Sequence, residues 1–224
     1  DYLHLSFVKT LTPFLNSERY ELSDVVIEPD YFQYTLFDKD SGYRIVHSFY
    51  KVEAYRSNPN NQTASGKPYQ KMYLTKEMSK KFGYFSIMEN TLKDVFETEK
   101  QLDRKRLVTR FNPDRKKIVF HFSNKTVDWL KPLAREAIAK WNSVIKSKGL
   151  NVEIMLDESK VVQEGDIRFN ILNLYEDLEN LDWYSGFGPA LIDMTTGEFL
   201  SAYVHLNIKD SMDTAEAMGI SSLT

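Results

Sequence analysis

GDIRFNIL (residues 165–172), a polar and acidic connection (173–182) and WYSGFGPALIDMTTGEFLSAYVHLNI (183–208) form the stretch that decides the fold. Asp166 to Leu172 predicts a strand, because Ile167, Phe169 and Ile171 alternate with Arg168 and Asn170. Gly186 to Asp193 predicts a second strand, entered through Gly186-Phe187-Gly188-Pro189. Proline has no N–H for a ladder, so Pro189 puts this strand at an edge of its sheet. MTTGE (194–198) reads as a tight turn. Phe199 to Ile208 reads as a third strand, with Leu200, Ala202, Val204, Leu206 and Ile208 as its apolar set.

Working upstream, LNVEIML (150–156) and KIVFHF (117–122) each predict a strand, and residues 128–148 between them predict the longest helix. Leu130, Leu133/Ala134, Ala137/Ile138, Trp141 and Val144/Ile145 recur at three- and four-residue steps, which implies one apolar stripe with Trp141 buried against the sheet. Asp128 suits the N-cap, Pro132 the first turn, and Gly149 the stop. Glu136 and Lys140 form an i,i+4 pair on the polar side. From residue 117 the order is therefore β-α-β-β-β-β, an α/β layer with one helix across a mixed sheet.

The front of the chain has a different texture. ELSDVVIE (21–28), YFQYTLFD (31–38), a DKDSG turn (38–42) and YRIVHSFYKVEAY (43–55) read as an antiparallel β module rich in Tyr and Phe. Both faces of 43–55 carry bulky groups, which predicts a strand covered on both sides. SNPNNQTASGKP (57–68) is a loop by composition and YQKMYL (69–74) a short strand. Residues 3–15 are apolar at mixed spacing and fit helix or strand equally. Residues 86–106 carry a weak helical spacing at Met88, Leu92, Val95/Phe96 and Leu102. Lys100, Arg104, Lys105, Arg106, Arg110, Arg115, Lys116 and Lys117 follow or overlap it, and this charge run reads as a solvated connector.

At 224 residues, 42% hydrophobic and 13% aromatic, the chain is long and apolar enough for a sizeable core and is not of disordered composition. A net charge of −3 gives no global attraction to nucleic acid or to an anionic membrane, and no run of eighteen apolar residues exists to span one. Zero cysteines exclude disulfides, thiolate metal sites and cysteine nucleophiles. The two glycosylation sequons, at Asn61 and Asn124, are a pattern common by chance. Asp1 in place of an initiator Met implies a processed or trimmed start.

Motifs that carry chemistry are sparse. No Walker loop, GxGxxG, GxSxG, HExxH or EF-hand loop is present. His121 and His205 fall in strands of one sheet and could be neighbours, although a lone strand histidine is usually packed or hydrogen-bonded. Glu176, Asp177, Glu179 and Asp182 could offer calcium loop oxygens, but read more simply as a solvated acidic loop.

The order of pieces nonetheless resembles the amino-terminal half of a metzincin-type zinc metalloprotease domain, of the bacterial exported group with a β-rich module in front. TRFNPDRKKIVFHFS (109–123) resembles its first strand, LKPLAREAIAKWNSVI (130–145) its backing helix and GDIRFNIL its third strand. GFGPALIDMTTGEFLSAYVHLNI (186–208) resembles its edge strand and hairpin partner, and KKFGYFSI (80–87) is similar to the group's connecting segment. The resemblance implies an α+β protein: a β-rich module and connector over 1–106, then a metzincin-like mixed five-stranded sheet with one long backing helix over 107–224. It implies that the edge strand pairs with the backbone of a peptide or protein substrate, with Gly186, Phe187, Gly188, Pro189, Ala190 and Leu191 as the binding residues. It also implies a secreted or periplasmic protein, and zinc held by an HExxHxxGxxH helix in a longer parent.

That motif is absent where it would follow KDSMDTAEAMGISSLT (209–224), so this chain is expected to hold no zinc and to have no catalytic residue of its own. The alternative is a non-catalytic module that binds a peptide or partner by strand addition. An open edge of this kind also allows a dimer through the same strand. Neither nucleic acid nor a membrane span is an expected partner.

Overall fold

The computed structural model describes residues 18–51, 69–176 and 186–209, apart from residues 43, 82, 84, 97 and 98. The segments 3–15 and 57–68, and most of the acidic connection, lie outside the described residues. The architecture is mixed α+β and strand-rich, with a three-stranded antiparallel sheet in front and a mixed six-stranded sheet behind.

The front sheet is a meander of β1 (Tyr20–Ile27), β2 (Tyr31–Asp38) and β3 (Arg44–Tyr50), in the order β1-β2-β3. Gly42 at φ 74° makes the turn into β3, a conformation that suits glycine. β2 is central and buries Tyr31, Gln33 and Thr35 on one side. β3 is not covered on both sides as its bulk predicts. It is an outer strand of its sheet, and Ile45 and Phe49 on one face are exposed while Val46 and Ser48 on the other are half-buried.

Residues 69–74 form a single bridge, Tyr73 to Leu107, in place of the expected strand. A short helix, α1 (Lys76–Lys81), follows it. The helical spacing over 86–106 is overturned. β4 (Ser86–Phe96) and β5 (Glu99–Val108) make a two-stranded antiparallel ribbon, and the expected module boundary after 106 falls within β5. Near its base Asn90, Thr91, Arg104, Lys105 and Arg106 are exposed, so this part of the basic run is a solvated strand. Arg115 further on is buried, 3.7 Å from Glu198, against the expected solvated connector.

The rear sheet contains β6 (Lys117–Phe122), β7 (Glu153–Leu156), β8 (Asn170–Tyr175), β9 (Gly186–Phe187), β10 (Ala190–Ile192) and β11 (Phe199–Asn207). Its order is β10-β11-β8-β6-β7, and β9 also pairs with β11. β7, β6, β8 and β11 run parallel, while β9 and β10 are antiparallel to β11. The strand expected at 186–193, fourth of five, is thus split in two at Gly188-Pro189, which makes six. The strand expected at 166–172 starts four residues later. The Asp166 carboxylate accepts from the Arg168 backbone N–H at 3.1 Å, a local turn that displaces the ladder there.

A single 3-10 turn (Asp128–Leu130) leads into α2 (Lys131–Ser147), with Pro132 in its first turn and Gly149 (φ 67°) just past its end. Asp128 does not cap this helix; it pairs with Lys131 at 2.6 Å. The apolar stripe divides in two. Leu130, Ala134 and Ile138 pack on Phe122, Leu172 and Leu174 to make the core. One turn on, Asn142 continues that face by bonding both the N–H and the C=O of Ile154 in β7, at 2.8 and 2.7 Å. Leu133, Trp141 and Val144 point away, and Trp141 is 62% exposed instead of buried. Around the helix, Asn142 takes the sheet-facing place that the spacing assigned to the adjacent Trp141.

Candidate functional site

Register divides the side chains of the rear sheet between two faces. Phe122, Leu172 and Leu174 point to α2. Their chain neighbours point the other way: His121 is in register with Ile171, Tyr203 with Ile171, His205 with Asn173 and Asn207 with Tyr175. This second face is largely buried and mixes polar with apolar groups: His121, Asn173, Ser201 and Asn207 are each at most 3% exposed, and Ile171 and Tyr175 are buried beside them. In β11 the apolar set named by the sequence is the more open one, since Val204 and Leu206 are exposed.

The edge of this sheet is β9 and β10. Among the described residues nothing pairs with their outer side. Gly186 fits tightly against β11, where an added Cβ would stand 2.9 Å from the His205 carbonyl oxygen. Gly188 is roomier, its nearest such neighbour being the Tyr203 oxygen at 3.6 Å. Phe187 stacks on the His205 ring at 4.4 Å and 5°, which fixes the strand while leaving the phenyl 47% exposed. Pro189 gives its carbonyl to the Tyr203 N–H at 2.8 Å. Antiparallel pairing alternates, so Leu191 also bonds inward to Ser201, and the backbone groups of Gly188 and Ala190 point outward.

A cleft of about 450 Å3 runs beside this strand. Pro189, Ala190 and Leu191 line it with Tyr203 and His205 on the sheet side. The opposite wall is β3, through Arg44, Val46 and Ser48, and the turn at 164–167 closes one end. Gly165 adopts φ 80° in that turn, and a Cβ on it would stand 2.6 Å from a Val46 methyl. Ser48 Oγ donates to the Gly165 carbonyl at 2.9 Å. Arg168 lies 3.9 Å over the Tyr31 ring, bonded to Asp166 at 2.8 Å and to Glu28. Asp166 is buried, so the guanidinium offsets a charge that would be costly alone.

Three of the predicted binding residues, Pro189, Ala190 and Leu191, therefore share a cleft, Phe187 stands beside it, and Gly186 and Gly188 shape the strand. Sequence reading missed the β3 wall, because Ser48 and Gly165 are 117 residues apart and carry no joint motif. Tyr203 was also missed. Its placement beside His205 follows only from the strand register.

The ionisable groups here are held neutral or are paired. Burial lowers the His205 pKa, with Glu164 acting the other way, and Asn173 Nδ2 lies 3.3 Å from its Nδ1. Burial raises the Tyr203 hydroxyl pKa. His121 and His205 share a face but are not neighbours, since β8 lies between their strands. His121 stacks edge-on to Phe169 and stands 3.9 Å from Asp157. Glu176 accepts from the Trp129 indole at 3.3 Å, and Asp177, Glu179 and Asp182 lie outside the described residues. Among the described residues no three His, Asp or Glu side chains are gathered as metal ligands. These residues do not fit a zinc site. Nor, among them, is any helix long and apolar enough to cross a membrane.

Comparison of the chain with protein-family models, with curated protein sequences and with solved structures finds no match.

Proposed function

We propose that the chain binds an extended peptide along the outer edge of β9 and β10, as the substrate-binding part of a metzincin-type zinc metalloendopeptidase. One observation carries the reading: a short antiparallel edge that no described residue pairs with, with outward backbone groups at Gly188 and Ala190, borders a cleft. Strand addition uses such an edge for affinity and alternate side-chain sites for selection. The protease part rests on the sequence resemblance. It is supported by the parallel strands, the hairpin that brings an antiparallel strand to the edge, and the single long helix on the other face. In that reading zinc and its ligands belong to a helix beyond these residues, in a secreted or periplasmic parent.

A stand-alone binding module would use the same edge. The wall that β3 adds to the cleft favours it, because the peptide site is then assembled from both sheets.

Amide exchange tests the shared part. Exchange at residues 188–192 is expected to slow when an extended Thr/Val-rich peptide is added, and to be unchanged by a proline-rich peptide of equal length. Equal exchange with and without the first peptide overturns the proposal. Slowing that depends on protein concentration alone reports pairing between two copies of the edge. The protease part is tested separately by whether the gene places HExxH after residue 224.

A further inference from the structure

Resting on that edge-pairing reading, we infer that β3 of the front sheet is the selecting wall of the peptide site, and that it admits a large uncharged side chain. The ladder fixes which side chain enters. Leu191 spends its backbone groups on Ser201, so on its outer side it occupies a non-hydrogen-bonded position. A peptide residue placed opposite such a position comes within about 4.5 Å at Cα, with side chains drawn together. That residue shares the face of Leu191, as cross-strand partners do. Leu191, Tyr203 and His205 line the cleft from this face, and Val46 and Ser48 stand across it. The side chain opposite Leu191 therefore points between the two sheets.

The chemistry of the walls sets what fits. Val46, Ile167, Leu191 and Ala190 present hydrocarbon. Each charged group of the lining already has a partner inside the chain. Arg44 donates to Asp24 at 2.9 Å, and Glu164 accepts from the Tyr175 hydroxyl. Ser48 spends its proton on the Gly165 carbonyl. An acidic side chain entering the cleft would lose water and meet the Glu164 carboxylate, which is bonded to a neutral hydroxyl, whereas an apolar one gains burial. The volume of about 450 Å3 falls in the range that holds a compact organic group.

The test uses end-blocked heptapeptides with Thr and Val flanks and a central Phe, Leu, Trp, Ala or Asp. The Phe and Leu peptides are expected to bind about tenfold tighter than the Asp peptide, with Ala between, from the burial of one apolar side chain. Val46→Phe fills the cleft from β3 and is expected to reduce the advantage of Phe over Ala to less than about twofold. Val46 also packs on Gly165, so Val46→Ala is the second variant, expected to favour the Trp peptide over the Leu peptide relative to the parent. Slowed exchange at 188–192 with every peptide, indifferent to the central residue and to both Val46 variants, overturns the inference and leaves edge pairing standing. No slowing with any peptide overturns both.

Discussion

The two faces of the rear sheet are built on opposite principles. Under α2 the contacts are apolar, with Phe122, Leu172 and Leu174 against Leu130, Ala134 and Ile138. On the other face Ile171 and Tyr175 are buried together with His121, Asn173, Ser201 and Asn207, and among the described residues Asn173 Oδ1 and His121 Nδ1 have no hydrogen-bond partner. Burying apolar area stabilises at roughly 25 cal/mol per Å2, while an unsatisfied polar group costs about 1–3 kcal/mol. The helix side therefore holds the sheet together. The other side buries polar groups beside Ile171 and Tyr175, and it is the side that carries the cleft.

The sharpest way to break this comparison is Leu172→Ala. It removes a buried side chain at the centre of the helix face and is expected to cost about 2–5 kcal/mol, read as a drop in the denaturation midpoint. A loss below about 1 kcal/mol would mean that the apolar face is not the main source of stability.

The polar face is probed by pH. Burial holds the His121 pKa below its ordinary value, and Asp157 opposes that shift. A depressed histidine favours the neutral form in the folded state, so its contribution is present above the unfolded value of about 6.5 and is lost as pH falls below it. His121→Gln is expected to make the stability decline from pH 7 to pH 5 shallower than in the parent. Lys160 and Phe169 also pack against this group. An unchanged slope would remove His121 from the account.

The smallest effect is expected on the outward side of α2. Trp141→Ala should change stability by less than about 1 kcal/mol, because the ring is largely exposed and alanine is the better helix former. A loss as large as that of Leu172→Ala, in the same denaturation experiment, would show that the outer stripe is covered in solution.

Elements whose local chemistry and burial agree could be read directly. β6 spans Lys117–Phe122 as written in KIVFHF, the hairpin turn follows Asp193, and Gly149 follows the end of α2. An element exposed over part of its length could not, as at Met88, Asn90, Thr91 and Arg104 to Arg106. The β4–β5 ribbon needs no alternation of apolar residues, so the chance spacing of Met88, Leu92 and Leu102 imitated a helix. The edge position of 186–192 was read from Pro189, but the Pro189 carbonyl faces the Tyr203 N–H. Its missing donor therefore lies on the β11 side, where it interrupts the pairing between β9 and β10 and does not account for the edge.

The amino-acid sequence by itself determined where strands and helices begin and end, wherever backbone constraints acted locally: Gly149, Gly42 and the Asp193 turn. Only the tertiary structure decided which side of α2 meets the sheet, because Trp141 and Asn142 are adjacent and the periodicity accommodates either. It also decided that the cleft has a second wall. The contact of Ser48 and Val46 with Gly165 joins residues more than a hundred positions apart, and it depends on the register of two sheets that no local pattern encodes.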